Sequence, residues 1–287
     1  MFLTIGMATY DDYDGVYFSL QALKAYHDLK DVELLVVDSK KEGCQETKNV
    51  CSSIGAKYFH KPEKVGTSAP RNYVFEAATG KYVMCMDCHV LFVKDSIKRL
   101  KTFLANKPNT KDIYQGPLLY DDQVSISTHF DPRWRGQMYG TWGTDPRGYK
   151  DAPFEIPMQG LGMFCMRKAA WPRFNPNFRG FGGEEGYIHE KVRQRGGKAI
   201  CLPWLKWIHR FGRPRGVPYR LTVEDRIINY MIGWDEIGRS HDDIVKHFLE
   251  TVPQSVIDNC KKEFNKIKKA KQENKTKPNN LPEPKVK

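Results

Sequence analysis

An aspartate and a histidine two residues apart close an apolar run, Met84-Cys85-Met86-Asp87-Cys88-His89. If that run is a buried strand, alternation turns both side chains the same way, and one divalent ion can meet both. An oxygen and nitrogen donor set of this kind suits Mn2+, with Mg2+ as the alternative. A diphosphate would complete the coordination, and the ion would offset charge on a departing diphosphate. A second imidazole, His209, ends the late stretch Trp207-Ile208-His209. Two carboxylates, Glu184 and Glu185, follow Gly182 and Gly183 where a helix should begin. A carboxylate placed there can take the proton of an acceptor hydroxyl, although acids in a first helical turn are also favoured by the helix dipole alone. Arg210, Arg213, Arg215 and Arg220 stand in a loop broken by Gly and Pro, where guanidinium groups suit a lid over phosphates or plain solvent. None of these groups is decisive alone. A strand-end Asp with a nearby His serves many loops, and His209 beside Trp207 also fits a core.

The elements that must position these groups are legible as alternating patterns. Residues 3–8, 32–37, 56–60 and 81–86 read as short strands, the second and fourth of them continuous apolar runs of the kind buried on both faces. Residues 17–29, 46–54 and 69–78 read as helices, with Gly80 as the C-cap of the third. Strand and helix alternation predicts a parallel, doubly wound sheet, which binds ligands at the carboxyl ends of its strands. Thr9 with Tyr10, Asp38 and Asp87 all fall at such ends. Further on, residues 96–105 and 183–195 read as helices, the latter ended by Gly196 and Gly197. Residues 198–202 read as a strand and 205–209 as an extended segment. Residues 106–160, rich in Gly, Pro, Trp, Tyr and Asp, predict acceptor loops and lids. There Trp134, Tyr139 and Trp142 could stack on a sugar or base, or simply pack. Two helical stretches split by Pro253 follow residue 242, and a tail without apolar periodicity follows residue 274.

The order of these motifs resembles family 2 glycosyltransferases of the GT-A fold. Gly66-Thr67-Ser68-Ala69-Pro70-Arg71-Asn72 precedes a helix, and Ala78-Thr79-Gly80 precedes the strand that ends in Asp-x-His. Gln159-Gly160-Leu161-Gly162-Met163-Phe164 resembles the family's acceptor-side strand. The trio of Asp-x-His, Gly-Gly-Glu and a late His is similar to the polypeptide N-acetylgalactosaminyltransferases. The resemblance spans residues 3–215 and implies a GT-A architecture, a Rossmann-like, mostly parallel sheet flanked by helices. It implies Mn2+ held by Asp87, His89 and His209, and a nucleoside pocket at Thr9, Tyr10, Asp38 and Arg71. In that pocket Asp38 accepts the imide N–H of a uracil. It also implies Glu184 on the donor sugar, with Glu185 next to donor or acceptor, while Gly182 and Gly183 let backbone approach the sugar. Many inverting members carry their base at a comparable helix start, whereas the His-containing metal set inclines towards retention. The expected layout is a catalytic domain over 1–232, with a nucleotide-sugar half at 1–105 and an acceptor half at 106–232. A helical extension and basic, partly disordered tail follow at 233–287.

Composition narrows the class further. The 40% hydrophobic content supports a sizeable core, and no apolar run is long enough for a transmembrane helix. The N-terminus lacks the basic region and cleavage site of a signal peptide. Seven scattered cysteines do not form a disulfide framework, and Cys85-x-x-Cys88 has no second pair to complete a zinc site. A reducing, cytoplasmic setting is therefore expected. Of the net charge of +12, residues 261–287 carry ten Lys and three Glu. This concentration fits either a solvated tail or contact with nucleic acid. The expected partners are a UDP-linked sugar donor and an acceptor glycan, lipid-linked glycan, protein, or DNA bearing a hydroxylated base. A nucleotidyltransferase or a non-catalytic sugar- or nucleic-acid-binding module are the alternatives. The first would need a Gly-rich basic signature after the first strand, where residues 8–15 are acidic instead.

Overall fold

Unbroken apolar runs need cover on both faces, and the chain supplies it with helices between strands. The computed structural model describes residues 1–212 and 216–276. Its first half contains β1 (Leu3–Thr9), α1 (Tyr13–Tyr26), β2 (Val32–Asp38), α2 (Gln45–Ile54), β3 (Lys57–His60) and α3 (Ser68–Ala77), then β4 (Tyr82–Asp87), β5 (Val90–Phe92) and α4 (Ser96–Ala105). Six short strands follow: β6 (Ile113–Gln115), β7 (Leu118–Leu119), β8 (Ile126–Ser127), β9 (His129–Arg135), β10 (Met138–Gly143) and β11 (Phe154–Glu155). The remainder is β12 (Met163–Arg167), α5 (Glu184–Gln194), β13 (Ala199–Cys201), β14 (Trp207–His209), α6 (Val223–Glu236), α7 (Asp242–Phe248) and α8 (Gln254–Thr276).

The central sheet has eight strands in the order β11-β13-β6-β12-β4-β1-β2-β3. It is parallel across β3, β2, β1 and β4, and again between β6 and β13. β12 breaks the pattern, running antiparallel to β4 and β6, and β11 is antiparallel to β13. The parallel register sets Thr9 opposite Asp38 and Ala8 opposite Asp87, so both acids leave the sheet at one edge. Alternation splits the buried residues into two cores. Leu35, Val37, Val83 and Cys85 pack with α3, α5 and α6 on one face, and Leu34, Val36, Met84 and Met86 pack with α1, α2 and α4 on the other. Cys85 and Cys88 belong to different cores, and no disulfide joins them.

A second sheet, β5-β14-β7-β8, stands beside the carboxyl end of β4. Its antiparallel pairing sets His209 opposite Val90, and the Arg210 N–H donates to the His89 carbonyl at 3.2 Å. Backbone pairing therefore brings residues 89 and 209 together.

Several expectations change. The first helix starts at Tyr13 because the Asp12 carboxylate caps it, accepting from Gly15 N at 3.1 Å. Gly80 is not a helix C-cap, since α3 is capped by Ala78. A Cβ at Gly80 would sit 2.6 Å from Thr4 N, so it is close approach to β1 that requires glycine there. The 106–160 region holds six strands, four of them only two or three residues long, while β9 and β10 pair as a largely exposed or half-buried ribbon with no apolar run to mark it. Helix α6, absent from the sequence reading, is buried continuously from Arg226 to Trp234, the polar Arg226 and Asn229 included. The division at residue 232 falls inside α6. Ile244, Phe248, Ile257, Cys260 and Phe264 join the same core, so α7 and the first half of α8 pack as part of the body. Residues 277–287 of the expected tail lie outside the described residues. Among the described residues no helix is long and apolar enough to cross a membrane.

Candidate active site

The carboxyl end of β4 delivers Asp87, the turn into β5 delivers His89, and the end of β14 delivers His209. His89 Nε2 lies 3.1 Å from His209 Nε2, and His209 Nε2 lies 3.4 Å from Asp87 Oδ2. One ligand atom from each of the three lies within 4.8 Å of the others. Gly162 makes room for the arrangement, since a Cβ there would strike the Trp207 ring at 2.8 Å and approach His209 at 3.4 Å. The other Asp87 oxygen accepts from Arg71 Nη2 at 2.8 Å. Burial would raise the Asp87 carboxyl, but Arg71, the His209 hydrogen bond and His89 hold it well below the usual carboxylate range. Arg71 is 7% exposed. Burial opposes its charge, and Asp87, Cys85 and Glu184 more than restore it. Arg71 thus stands against Asp87 in this structure, where the sequence reading grouped it with the nucleoside pocket.

Asp12 was missed as a site residue. Its Oδ2 lies 2.7 Å from His89 Nδ1 and its Oδ1 accepts from Arg210 Nη2 at 2.6 Å. Burial pushes the Asp12 carboxyl up, and the His89 hydrogen bond, His89 charge and Arg210 bring it well below its ordinary value. Nothing in the acidic run Tyr10-Asp11-Asp12 singles it out. Cys88 Sγ is 3.6 Å from the same carboxylate, so Asp12, Cys88 and His89 form a second group of possible ligand atoms that shares His89 with the first.

The strand-end groups stand beside this centre. Asp38 is fully buried; Oδ2 accepts from Tyr58 Oη at 2.6 Å and Oδ1 from Lys40 N at 2.9 Å. The Thr9 carbonyl accepts from Ser39 N at 3.1 Å, and its own Oγ1 is buried without a protein partner. Tyr10 is 39% exposed, edge-on to Tyr219 with ring centroids 5.9 Å apart. Tyr58, Lys40 and Tyr219 carried no sequence signal.

Glu184 and Glu185 open α5 and are both buried. Glu184 Oε1 accepts from the Thr67 and Ser68 hydroxyls at the start of α3. Burial pushes the Glu185 carboxyl up to about 7, with the neighbouring Glu184 charge adding to the rise. Gly182 and Gly183 have φ of 100° and 96°, a region that favours glycine. The close approach they permit here is to α6, because added Cβ atoms would meet Arg226 Nε at 2.8 Å and Asn229 Cβ at 3.0 Å. Asn229 holds the turn in place, donating to the Arg179 and Gly182 carbonyls at 2.6 and 2.9 Å. Arg210 is tied to Asp12, Arg220 is exposed, and Arg213 and Arg215 lie outside the described residues. Trp134 and Trp142 pack: Trp134 stacks on His247 at 4.3 Å, and Trp142 meets Phe130 at 4.3 Å. Tyr139 is buried between Trp134 and Trp234.

The donor chemistry fits a divalent ion. Two imidazoles and one carboxylate form a mixed nitrogen and oxygen set, and the first imidazole is backed by a carboxylate, as metal-ligating histidines commonly are.

A family model described as glycosyl transferase family 2 matches residues 4–170, ending before Glu184, Glu185 and His209. No curated protein matches the sequence. Among solved structures, GalNAc-T7 with UDP, GalNAc and Mn2+ is similar at a TM-score of 0.68 and 14% identity, over 92% of this chain and 54% of that one. TarS 1-349 of S. aureus with UDP-GlcNAc is similar at 0.57 and 13%, over 92% of this chain and 71% of that one. The mannosyltransferase PcManGT of Pyrobaculum calidifontis with GDP-Man and Mn2+ is similar at 0.50 and 13%, over 91% and 79%. This chain spans about half of the GalNAc-T7 structure, and at these identities the likeness speaks for the fold. With the family match covering more than half of its length, the chain belongs to glycosyl transferase family 2, and its fold is GT-A.

Proposed function

We propose that this chain moves a sugar from a nucleotide diphosphate donor, UDP-linked, to an acceptor hydroxyl, with Asp87, His89 and His209 holding Mn2+ or Mg2+ beside the diphosphate. The observation that carries this reading is the convergence of two Nε2 atoms 3.1 Å apart with an Asp87 oxygen 3.4 Å from one of them, at the carboxyl end of a parallel strand. When bound, the ion would offset charge on the leaving diphosphate. Neighbours solved with UDP and Mn2+, and with GDP-Man and Mn2+, support a nucleotide-sugar donor and a divalent ion.

The chain's own groups take the remaining roles. Thr9, Tyr10 and Asp38 line the nucleoside side. The Asp38 oxygens accept from Lys40 N and the Tyr58 hydroxyl, and because Asp38 is fully buried a base N–H reaches it only as Tyr58 moves aside. Arg71 holds Asp87 in place and brings a buried positive charge to the diphosphate region. Glu184, fixed by Thr67 and Ser68, is placed to orient the donor sugar. Arg210 and Arg213 belong to the phosphate side in this reading, Arg210 through its anchor on Asp12.

Retention is the outcome that the metal set's resemblance implies. Inversion is the second reading, favoured by Glu185, whose carboxyl is pushed up to about 7 and so suits taking a hydroxyl proton near neutral pH. The anomeric proton coupling of the first-formed product decides between them. If Glu185 is the base, Glu185→Gln lowers turnover by about 10^2 to 10^4-fold. The acceptor hydroxyl belongs to a glycan or lipid-linked glycan in the main reading. Exposed Lys261, Lys262, Lys266 and Lys269 on α8 favour DNA as the second. Donor class and metal are tested together by thermal shift across UDP- and GDP-sugars with and without Mn2+. Stabilisation by one donor only when metal is present supports the reading, and metal-independent or absent stabilisation contradicts it.

A further inference from the structure

The turn between β1 and α1 carries a carboxylate that the family match and the site resemblance leave without a role. The Asp12 side chain is 9% exposed and is bonded to its own helix start, to the turn after β4 and to the segment after β14, with Cys88 Sγ also 3.6 Å from Oδ2. Oδ1 accepts from Gly15 N at 3.1 Å and from Arg210 Nη2 at 2.6 Å, while Oδ2 faces His89 Nδ1 at 2.7 Å. An ionised carboxylate can only accept, so the neutral His89 ring, the form that can bind a metal, carries its proton on Nδ1. That leaves the Nε2 lone pair directed towards His209 Nε2, 3.1 Å away. A histidine whose other nitrogen is unfixed divides between two tautomers, and the one protonated on Nε2 cannot ligate through it. Arg210 directly follows His209, so the same carboxylate also anchors the segment carrying the second imidazole.

We infer that Asp12 is a positioning residue for the metal centre, fixing His89 in its Nε2-ligating tautomer and tying the His209 segment to it through Arg210. This rests on the metal reading given above. In the variant Asp12→Asn the amide oxygen is drawn to the two donors, Gly15 N and Arg210 Nη2. Its NH2 group then faces His89 Nδ1, which can no longer donate there, and the ring proton moves to Nε2. Because the Gly15 cap survives in this variant, the start of α1 should fold as before.

The test is Mn2+ titration calorimetry of the full chain with UDP present, alongside 15N NMR of the imidazole nitrogens in the metal-free protein, for wild type, Asp12→Asn and Asp12→Ala. Both variants should bind Mn2+ about 10- to 100-fold more weakly, and His89 should lose its Nδ1-protonated signature. Asp12→Ala should in addition melt earlier, having lost the helix cap. Wild-type Mn2+ affinity in Asp12→Asn overturns the proposal. So does weakened affinity with the His89 tautomer unchanged, which would be a simple charge effect. No Mn2+ binding by the wild-type chain removes the metal reading and this proposal with it, whereas binding by wild type and Asp12→Asn alike removes this proposal alone.

Discussion

Replacing Glu185 by Gln should stabilise the metal-free protein at pH 8 while changing it far less at pH 5. Glu185 is 9% exposed, and its carboxyl is pushed from 4.5 up to about 7 by burial, with the Glu184 charge adding to it. A carboxyl raised in the folded state holds its proton more tightly there than in the unfolded chain, so stability falls as pH rises. The fall begins as pH passes 4.5, where the unfolded chain ionises, and is complete above about 7. With 7 − 4.5 = 2.5 and about 1.36 kcal/mol for each tenfold change in proton affinity, the loss is roughly 3 kcal/mol.

Glutamine matches the protonated side chain in shape and stays neutral, so it escapes that loss. Asp12 and Asp87, whose carboxyls are depressed, act in the opposite direction, but they are common to both proteins and cancel in the difference. Urea unfolding in the presence of a chelator at pH 5 and pH 8 reads the effect. The variant should gain about 3 kcal/mol over wild type at pH 8 and about 1 kcal/mol or less at pH 5. An equal difference at both values, or a variant less stable at pH 8, would refute the placement of a neutral carboxyl at the start of α5.

Gly183→Ala forces a left-handed φ of 96° on an L side chain and drives its Cβ to 3.0 Å from Asn229. The strain should cost about 1–2 kcal/mol in urea unfolding and displace Glu184 enough to lower turnover. Trp134→Ala should cost up to about 3 kcal/mol, below a fully buried ring, because the half-buried ring packs against His247, Tyr139, Tyr230 and Phe248. Near wild-type stability with weakened acceptor binding would instead make Trp134 a sugar platform. If α8 meets DNA, Lys261→Glu combined with Lys262→Glu and Lys266→Glu should flatten the salt dependence of DNA binding, measured by fluorescence anisotropy. No binding by the wild-type chain at low salt would leave the glycan reading.

The first half of the fold was legible because its signal is local. Runs such as Leu34 to Val37 and Tyr82 to Met86 are apolar without alternation, and helices of ordinary amphipathic pattern separate them. The pairing of Asp87 with His89 was legible because they stand two residues apart, although His89 lies in the turn after β4 and not in the strand, so strand alternation is not what aligns them. Helix α6 was not read, and its burial departs from its sequence, since the polar Arg226 and Asn229 are buried with the seven residues around them. The role of Asp12 depends on β14 pairing with β5, which carries Arg210 to the first turn from far along the chain. Arg71 was legible as a helix-start arginine, whereas its bond to Asp87 follows from how α3 packs on β4.

Anomalous scattering at the manganese edge, from crystals grown with Mn2+ and UDP, tests the metal centre most directly. A single peak within coordination distance of Asp87, His89 Nε2 and His209 Nε2, lost in His209→Ala, is the predicted result. Manganese held by the nucleotide alone, with both imidazoles still paired to each other, would contradict the account.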